Sequence, residues 1–592
     1  MLRSKYPFSA AFEKHPQRTF LFAAFILLLA LYGRSLNAPF VYDDLDQIVN
    51  NPNLQSWNGF AHRFLLQPVS LNSAYFGHAS STYRPLFWLS LYLDRNIWGL
   101  HPFAFHATSI IFHFLNGYLL FTFLRKWKFS KEKAAAAALL WLSLPINTEV
   151  VAWVSCLCYV LGTCFVLLCL LSMLTYQRTR KPRWAALCFL TALAALCTYE
   201  QAVVTLPLAI LLVFSRPWKT IRAWVPVGAI ALATIGVEVL RTAVGVHSFS
   251  SLASLPWIGL ALWQHVILAL LPIHMSVERS TSISLQQPHF WPYVGLGCLA
   301  LALLFFLIRR KWNTPPLVGV LWFLIAVAPL CLIRTYQGIA ERTIYLADIG
   351  IVISIVAAMA LLKGPHVRRV FQTCLLVWVA WNLGRTFLRV GDWTDPLQLY
   401  RSSLATTPQS ALLHYNIAFT LRENGQLLEA IQEYRQALAM HPQYPHAYAS
   451  IGDTYLQMNS YTEAETAYLQ ALEQNPKDTL ALLNLGTAYQ SSGDSNKAEA
   501  AFQKIIQIDP HNASAYTDLG VLYMGEKRST EAIYQFAKAI DLRTTDIVPY
   551  YDLGVLFQQS GRGDLAMVLY KKVLELKPDD QDTIRNIQIL RQ

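Results

Sequence analysis

Apolar runs fill the first two thirds of the chain and vanish from the last third. Crossing about 30 Å of hydrocarbon takes about 20 helical residues. Runs near that length recur at 19–36, 102–124, 134–154, 157–176, 184–199, 201–214, 223–241, 291–308, 316–334, 345–362 and 369–385. The pair 184–199 and 201–214 is short and meets at Tyr199-Glu200, which predicts a tight hairpin with its tip at one face. A further run at 257–273 is ambiguous between a crossing and a re-entrant helix. The first run is not a simple secretory signal, because many spans follow it and no small-residue cleavage pattern ends it.

Orientation follows from the bias of Lys and Arg toward cytoplasmic loops. Basic clusters occur at Arg3/Lys5/Lys14/Arg18, Arg125/Lys126/Lys128/Lys131/Lys133, Arg178/Arg180/Lys181/Arg183, Arg216/Lys219/Arg222, Arg309/Arg310/Lys311 and Lys363/Arg368/Arg369. All six fall on the cytoplasmic side when 257–273 does not cross, so that run is read as re-entrant or interfacial. Eleven crossings follow, with the N-terminus inside and the C-terminal part outside. The loop 37–101 then faces outward. Its helix-like stretch 84–99 is too broken by Asp94-Arg95 to span lipid, and these two read as solvated partners on an amphipathic helix.

The polar third has an internal period, the pattern of a repeat architecture. Pro442, Pro476, Pro510 and Pro578 fall at multiples of 34 residues, with Thr544 in the remaining slot. In the same register come Ala418, Gly452, Gly486, Gly520 and Gly554, then Ala430, Ala464, Ala498, Ala532 and Ala566. Tyr434, Tyr468, Phe502, Phe536 and Tyr570 complete it. These resemble tetratricopeptide repeats, helix pairs that stack into a superhelix with a concave groove. The predicted organisation is a cytoplasmic segment 1–18, a membrane domain 19–385, a linker 386–410, five repeats over 411–580 and a capping helix over 581–592.

Composition sharpens that division. Of 592 residues, 54% are hydrophobic and 14% charged, against about 25% charged in soluble proteins, which excludes a purely cytosolic enzyme. The net charge of +12 suggests a polyanion binder until the chain is split. Residues 1–385 hold 31 Lys and Arg against 12 Asp and Glu, and residues 386–592 hold 17 against 24, an excess of +19 and then −7. The positive charge is the membrane domain's cytoplasmic Lys and Arg, and no nucleic-acid partner is implied. All nine cysteines fall between 156 and 374, so no disulfide framework exists. Cys156 and Cys158 read as apolar filling.

Twelve acids in 385 residues are few enough to name: Glu13, Asp43, Asp44, Asp46, Asp94, Glu132, Glu149, Glu200, Glu238, Glu278, Glu341 and Asp348. Ionisable groups in or near a bilayer are costly and point to function. On the predicted topology Asp43, Asp44, Asp46, Glu149, Glu200, Glu341 and Asp348 converge at the outer face from five segments. Asp43-Asp44, directly after the first span, is the sharpest of these signals; an Asx-type turn ending that helix is the structural alternative.

An adjacent acidic pair in the first external loop resembles the signature of GT-C glycosyltransferases, which use a sugar carried on a polyprenyl phosphate. The ordered set Phe40-Val-Tyr-Asp-Asp44, Tyr83-Arg-Pro-Leu86, His106 with His113, Pro145-Ile-Asn-Thr-Glu-Val-Val-Ala-Trp153, Tyr199-Glu200 and Glu341-Arg342 before Tyr345-Leu346 goes further. Followed by tetratricopeptide repeats, it is similar to the transmembrane and tetratricopeptide-repeat protein O-mannosyltransferases and their bacterial relatives. The resemblance implies an all-α fold, a GT-C-like membrane domain followed by an α-solenoid. It also implies transfer of a sugar, mannose in that family, from a polyprenyl-phosphate donor to a hydroxyl of a protein acceptor at the non-cytoplasmic face.

Such a transfer needs a base for the acceptor proton and cations for the departing phosphate. Asp43 is assigned as the base, with Asp44 orienting it or binding a divalent cation. Arg84, Arg342 and Arg334 suit the phosphate. His106 and His113, seven apart, share one helix face and suit hydrogen bonds to substrate or a neighbouring helix rather than a metal pair, which takes a spacing of four. Glu149, Glu200 and Glu341 complete the candidate substrate-binding set, with Glu149 equally suited to capping a short helix. After Trp153 the relatives carry a basic residue and then an acid. This chain has Ser155-Cys-Leu-Cys-Tyr159, which points to a different donor.

Two further classes stand beside the enzyme: a catalytically inactive membrane-anchored scaffold that recruits protein partners through its repeats, and a transporter. The acids at one face and the scarcity of polar residues in mid-span argue against transport. The repeat groove would hold the acceptor or a partner. Compact loops suggest a bacterial inner membrane with the repeats periplasmic, and an endoplasmic-reticulum membrane with the repeats lumenal fits the same pattern.

Overall fold

The computed structural model describes residues 13–591, apart from 68, 73–78, 128, 216–219, 247–254, 278–296, 298–299, 302–313, 333–339, 360 and 543. Most of the predicted segments 1–18 and 291–308 therefore lie outside the described residues, as do Arg3, Lys5, Lys128, Arg216, Lys219, Glu278, Arg334 and the cluster 309–311. The chain divides into two compact units, Met1–Leu413 and His414–Gln592.

The first unit is a helical bundle. Its helices are α1 (Pro16–Tyr32), α2 (Pro85–Trp98), α3 (Pro102–Trp127), α4 (Lys131–Leu142), α5 (Thr148–Ala152), α6 (Leu157–Thr179) and α7 (Pro182–Leu196). There follow α8 (Thr205–Phe214), α9 (Val225–Ala243), α10 (Leu255–Leu270), α11 (Pro315–Leu332), α12 (Asp348–Ala358), α13 (Pro365–Asp392) and α14 (Pro396–Leu404). The most apolar span, Val154–Thr179, is also the most enclosed, with 78% of its apolar window buried. It forms the centre of the bundle, packed by α3 and α7.

Among the described residues five helices are long and apolar enough to cross a membrane: Pro16–Asn37, Pro102–Trp127, Val154–Thr179, Ile221–Ala243 and Pro315–Leu332. A sixth arises if Lys131–Leu142 and Pro145–Ala152, bent by 52°, count together. The bend falls at Pro145, which lacks the N–H that a continuous helix requires there. Among the described residues the count of eleven crossings is not confirmed. Helices α7, α8 and α12 run only 15, 10 and 11 residues, too short to span alone. The ambiguous run 257–273 contains a helix of the same short class, Trp257–Leu270.

The loop after α1 is structured. Short helical turns over 45–65 lead to an antiparallel hairpin, β1 (Val69–Asn72) with β2 (Ala79–Thr82), Val69 opposite Thr82. Helix α2 then occupies the predicted helical stretch. Asp94 and Arg95 on it are not solvated partners. Asp94 is buried and accepts a hydrogen bond from Thr108 Oγ1 at 3.0 Å, and burial pushes its carboxyl up to about 6. Arg95 Nη1 donates to the carbonyls of Ile48, Val49 and Asn51. Loop carbonyls without ladder partners need donors, and Arg95 supplies them.

Residues 386–410, predicted as a linker, belong to the first unit instead. Thr386 Oγ1 donates to Ser143 O at 2.7 Å, and Thr407 shares a 3.1 Å hydroxyl contact with Ser276.

The second unit is an α-solenoid of helix pairs: Ala411–Glu423 with Leu427–Met440, Pro445–Gln457 with Tyr461–Gln474, Thr479–Ser492 with Ser495–Ile508, Ala513–Gly525 with Ser529–Asp541, and Val548–Gln559 with Gly563–Leu576. Gln581–Arg591 ends it. A Cβ at Gly452, Gly486, Gly520 or Gly554 would meet the ring of Tyr468, Phe502, Phe536 or Tyr570 at 2.4–2.7 Å. Each aromatic therefore fills the space between the two helices of its own repeat.

Candidate functional site

The Asp43-Asp44 pair sits in a turn. Asp44 N–H donates to Val41 O at 3.0 Å and Leu45 N–H to Tyr42 O at 3.3 Å. Tyr42 is left-handed, with φ +58°, a conformation that costs a non-glycine residue about 1 kcal/mol or more. The two carboxylates differ. Asp44 is fully buried. Its Oδ1 accepts from Ser155 N–H at 2.8 Å and from Ser155 Oγ, and its Oδ2 from Val41 N–H at 3.2 Å. It therefore closes its own turn, as the Asx-type alternative describes, and ties that turn to the start of the central span. Asp43 is half-buried and accepts one long hydrogen bond, from Gln47 Nε2 at 3.4 Å.

Burial pushes Asp43 up to about 6, with the nearby Arg342 charge opposing the rise and Asp46 adding to it. Burial pushes Asp44 up to about 7 against its hydrogen bonds from Ser155 and Val41. Asp43 is thus the carboxylate with room to take a proton, and its affinity is set near neutrality.

Two ion pairs stand beside the segment that follows Trp153, and the charge of one of them, Arg342, reaches Asp43. Arg84, which immediately precedes α2, gives Nε to Glu200 Oε1 and Oε2 at 3.0 and 2.8 Å and Nη2 to Oε2 at 2.8 Å. Its guanidinium stands 5.2 Å over the Tyr199 ring and reaches Cys158 Sγ at 3.8 Å. Arg342 bonds Glu149 twice, through Nη1 to Oε1 at 2.6 Å and through its backbone N–H to Oε2 at 2.8 Å. It stands 5.3 Å over Trp153. Accessibility separates the pairs: the side chains of Arg84 and Glu200 are 19% and 36% exposed, those of Arg342 and Glu149 8% and 0%. Arg84 is the cation that a ligand can reach, while Arg342 is enclosed and acts on Asp43 through its charge.

The remaining residues serve other segments. Glu341 Oε1 accepts from Ser276 N–H at 2.5 Å. His106 Nε2 donates to Ala38 O at 3.1 Å, pinning the entry to the external loop. His113 engages Tyr345 OH at 2.7 Å through Nδ1 and Leu142 O at 3.2 Å through Nε2. With both ring nitrogens engaged inside the bundle, it offers none to a substrate. Asp348, predicted in the outer-face group, is buried at the start of α12 with neither carboxylate oxygen hydrogen-bonded. The structure thus gathers Asp43, Asp44, Glu149 and Arg342 around one turn and links Arg84 with Glu200 beside the same span, leaving His113 and Asp348 in the bundle.

Ser155, Trp153, Tyr199 and Tyr42 complete the site without having been assigned roles from sequence. For Tyr42 and Tyr199 the signal available was adjacency, since each stands beside an acid in the quoted motifs; Trp153 and Ser155 carried no such signal. A divalent cation does not fit the acid pair well. The Asp44 oxygens already accept three hydrogen bonds, and among the described residues no group of three or more His, Cys, Asp or Glu is placed to hold a metal ion.

A multi-span helical domain with an acid–arginine site beside one span, joined to an α-solenoid, defines the class. Comparison with known proteins agrees with it. Residues 86–239 match the dolichyl-phosphate-mannose-protein mannosyltransferase family, and residues 382–445, 421–489, 455–519 and 549–580 match tetratricopeptide repeats. The chain is 36% identical to mouse protein O-mannosyl-transferase TMTC1 over 27% of this chain and 17% of that one. It is 23% identical to the Caenorhabditis elegans protein O-mannosyl-transferase F38B6.6 over 66% and 58%, and 26% identical to human TMTC4 over 67% and 63%. The chain thus spans from less than a fifth to just under two thirds of the length of these relatives. Its resemblance to the transmembrane and tetratricopeptide-repeat protein O-mannosyltransferases holds in both halves.

Proposed function

We propose that the protein is a membrane glycosyltransferase that moves a sugar, mannose by the names of its relatives, from a polyprenyl-phosphate donor to a hydroxyl of a protein acceptor at the non-cytoplasmic face. The observation that carries this reading is Asp43, a half-buried carboxylate with one weak hydrogen bond, under the charge of the oriented Arg342. As the acceptor oxygen attacks the anomeric carbon, Asp43 takes its proton. The bond from that carbon to the phosphate oxygen breaks, and Arg84 meets the charge left on the lipid phosphate. Glu200 and Tyr199 fix the guanidinium plane beforehand. No step is routed through a metal. The repeat groove would hold the acceptor chain and raise its effective concentration at the turn.

The test is incubation of purified protein with a panel of polyprenyl-phosphate sugars and candidate peptides. Asp43→Asn should lower turnover by about 10²- to 10⁴-fold while the thermal transition stays in place. Full transfer by that variant removes Asp43 as base.

The second reading is a membrane-anchored scaffold without catalysis. It is favoured by the pairing of both arginines with carboxylates and by the uncharged stretch 155–159. Protein that binds a peptide through its repeats yet consumes no lipid-linked sugar from the panel decides for it.

A further inference from the structure

The repeat register runs one period further upstream than the five helix pairs. Stepping back 34 residues from Ala418, Tyr434 and Pro442 gives Gly384, Tyr400 and Pro408. All three are the residue types that this position carries elsewhere in the solenoid, and the first repeat match begins at residue 382. Helices α13 and α14 thus contain a sixth, degenerate repeat inside the first unit.

Its aromatic has been redirected. In the regular repeats the glycine receives the ring found 16 residues later, as with Gly452 and Tyr468 or Gly486 and Phe502. At Gly384 a Cβ would meet nothing within 4 Å. Tyr400 is nonetheless 4% exposed, and its ring centroid stands 6.0 Å from that of Tyr42. Tyr42 also meets Trp153 edge-on at 5.4 Å, and Trp153 stacks on Trp393 at 6.1 Å. Tyr42 is the left-handed residue directly before Asp43. A bulky side chain persists in that conformation only where its surroundings over-determine it, and here two rings do so.

We propose that Tyr400 is a positioning residue for Asp43: turned from the glycine of its own repeat toward Tyr42, it clamps Tyr42 against Trp153 and so fixes the turn that aims the carboxylate. Tyr400 touches no reacting atom and acts through Tyr42. The inference rests on the transferase reading for its effect on rate, and on geometry alone for its effect on the turn.

The experiment compares full-length wild type, Tyr400→Leu, Tyr400→Phe and, as the matching position one period on, Tyr434→Leu. Amide hydrogen exchange over residues 41–47 reads the turn, through the N–H groups of Asp44, Leu45 and Gln47 bonded to Val41, Tyr42 and Asp43 carbonyls. Tyr400→Leu should speed exchange there about tenfold. Tyr400→Phe should keep it near wild type, and Tyr434→Leu should leave it unchanged. In turnover with a polyprenyl-phosphate sugar, Tyr400→Leu should lower kcat about 10- to 100-fold with KM for the donor unmoved, and Tyr400→Phe should restore it. Unchanged exchange in Tyr400→Leu, or equal acceleration in Tyr434→Leu, overturns the clamp. A loss in Tyr400→Leu that falls on KM alone overturns it as well. Wild type that transfers no sugar from the panel sinks the transferase reading instead, and the exchange result still decides the clamp.

Discussion

Asp43 and Asp44 are neighbours of one chemical type, yet their surroundings give them different work. Asp44 has its oxygens engaged by Ser155 and Val41, so it is held in place as the fastening of the turn. Asp43 keeps an open edge and a pKa of about 6. With Asp43 as base, kcat/KM should rise about tenfold per pH unit below pH 6 and level off above it, as a pH–rate profile would show. The Arg342 charge opposes the rise in the Asp43 pKa. Removing that charge should therefore move the acid limb to higher pH. A profile flat from pH 4.5 to 8 would leave the acceptor proton to another group.

At the level of elements, the enclosed Arg342–Glu149 pair joins the segment after α11 to α5. Breaking a buried pair strands a charge and costs about 3–5 kcal/mol. Arg342→Met should lower the thermal midpoint strongly, and Arg342→Met with Glu149→Gln should recover most of it, since the glutamine can still accept the Arg342 backbone N–H. Equal losses in both would show that the stranded Glu149 charge is not what destabilises the single variant. In the solenoid, Gly486→Ala places a methyl 2.4 Å from the Phe502 ring and should destabilise that unit by about 1–3 kcal/mol. Gly525→Ala meets nothing within 4 Å and should be tolerated. Calorimetry of the two variants separates them.

The same elements show what the sequence discloses and where it stops. The 34-residue period is arithmetic, so the five helix pairs could be anticipated position by position; that each ring packs against the glycine of its own repeat, rather than in the gap between repeats, depends on the tertiary packing. Helix α2 was legible from its apolar spacing. The pair α7 and α8 already read as short, but the length of α12 inside the run 345–362 was not legible, because hydropathy marks an apolar run without marking where its helix breaks. Asp94 and Arg95 read as solvated for the same reason: their partners, Thr108 and the carbonyls of 48–51, are set by the tertiary fold. The unequal roles of Asp43 and Asp44 depend on Ser155 and Arg342, more than a hundred residues away in sequence. Residues 386–410 look like a tether only while the register is followed in one direction.

For the molecule as a whole, sidedness remains the property on which acceptor presentation depends. The second unit contains no native cysteine, so Ser491→Cys, at an exposed position, gives it a single label site. On intact cells or sealed right-side-out vesicles an impermeant maleimide should modify Ser491→Cys without permeabilisation. Modification only after the membrane is opened would place the repeats on the cytoplasmic side and end their proposed role in presenting an acceptor.

The degenerate repeat also governs how this protein can be recombined. A chimera joined between residues 386 and 399 would replace Tyr400 along with the solenoid and leave the turn at Tyr42 facing a foreign side chain. A junction after Leu413 keeps α13 and α14 with the domain they pack against. Repeat arrays of other specificity could be exchanged at that seam, whereas a cut ahead of Tyr400 would remove the residue proposed to hold the turn.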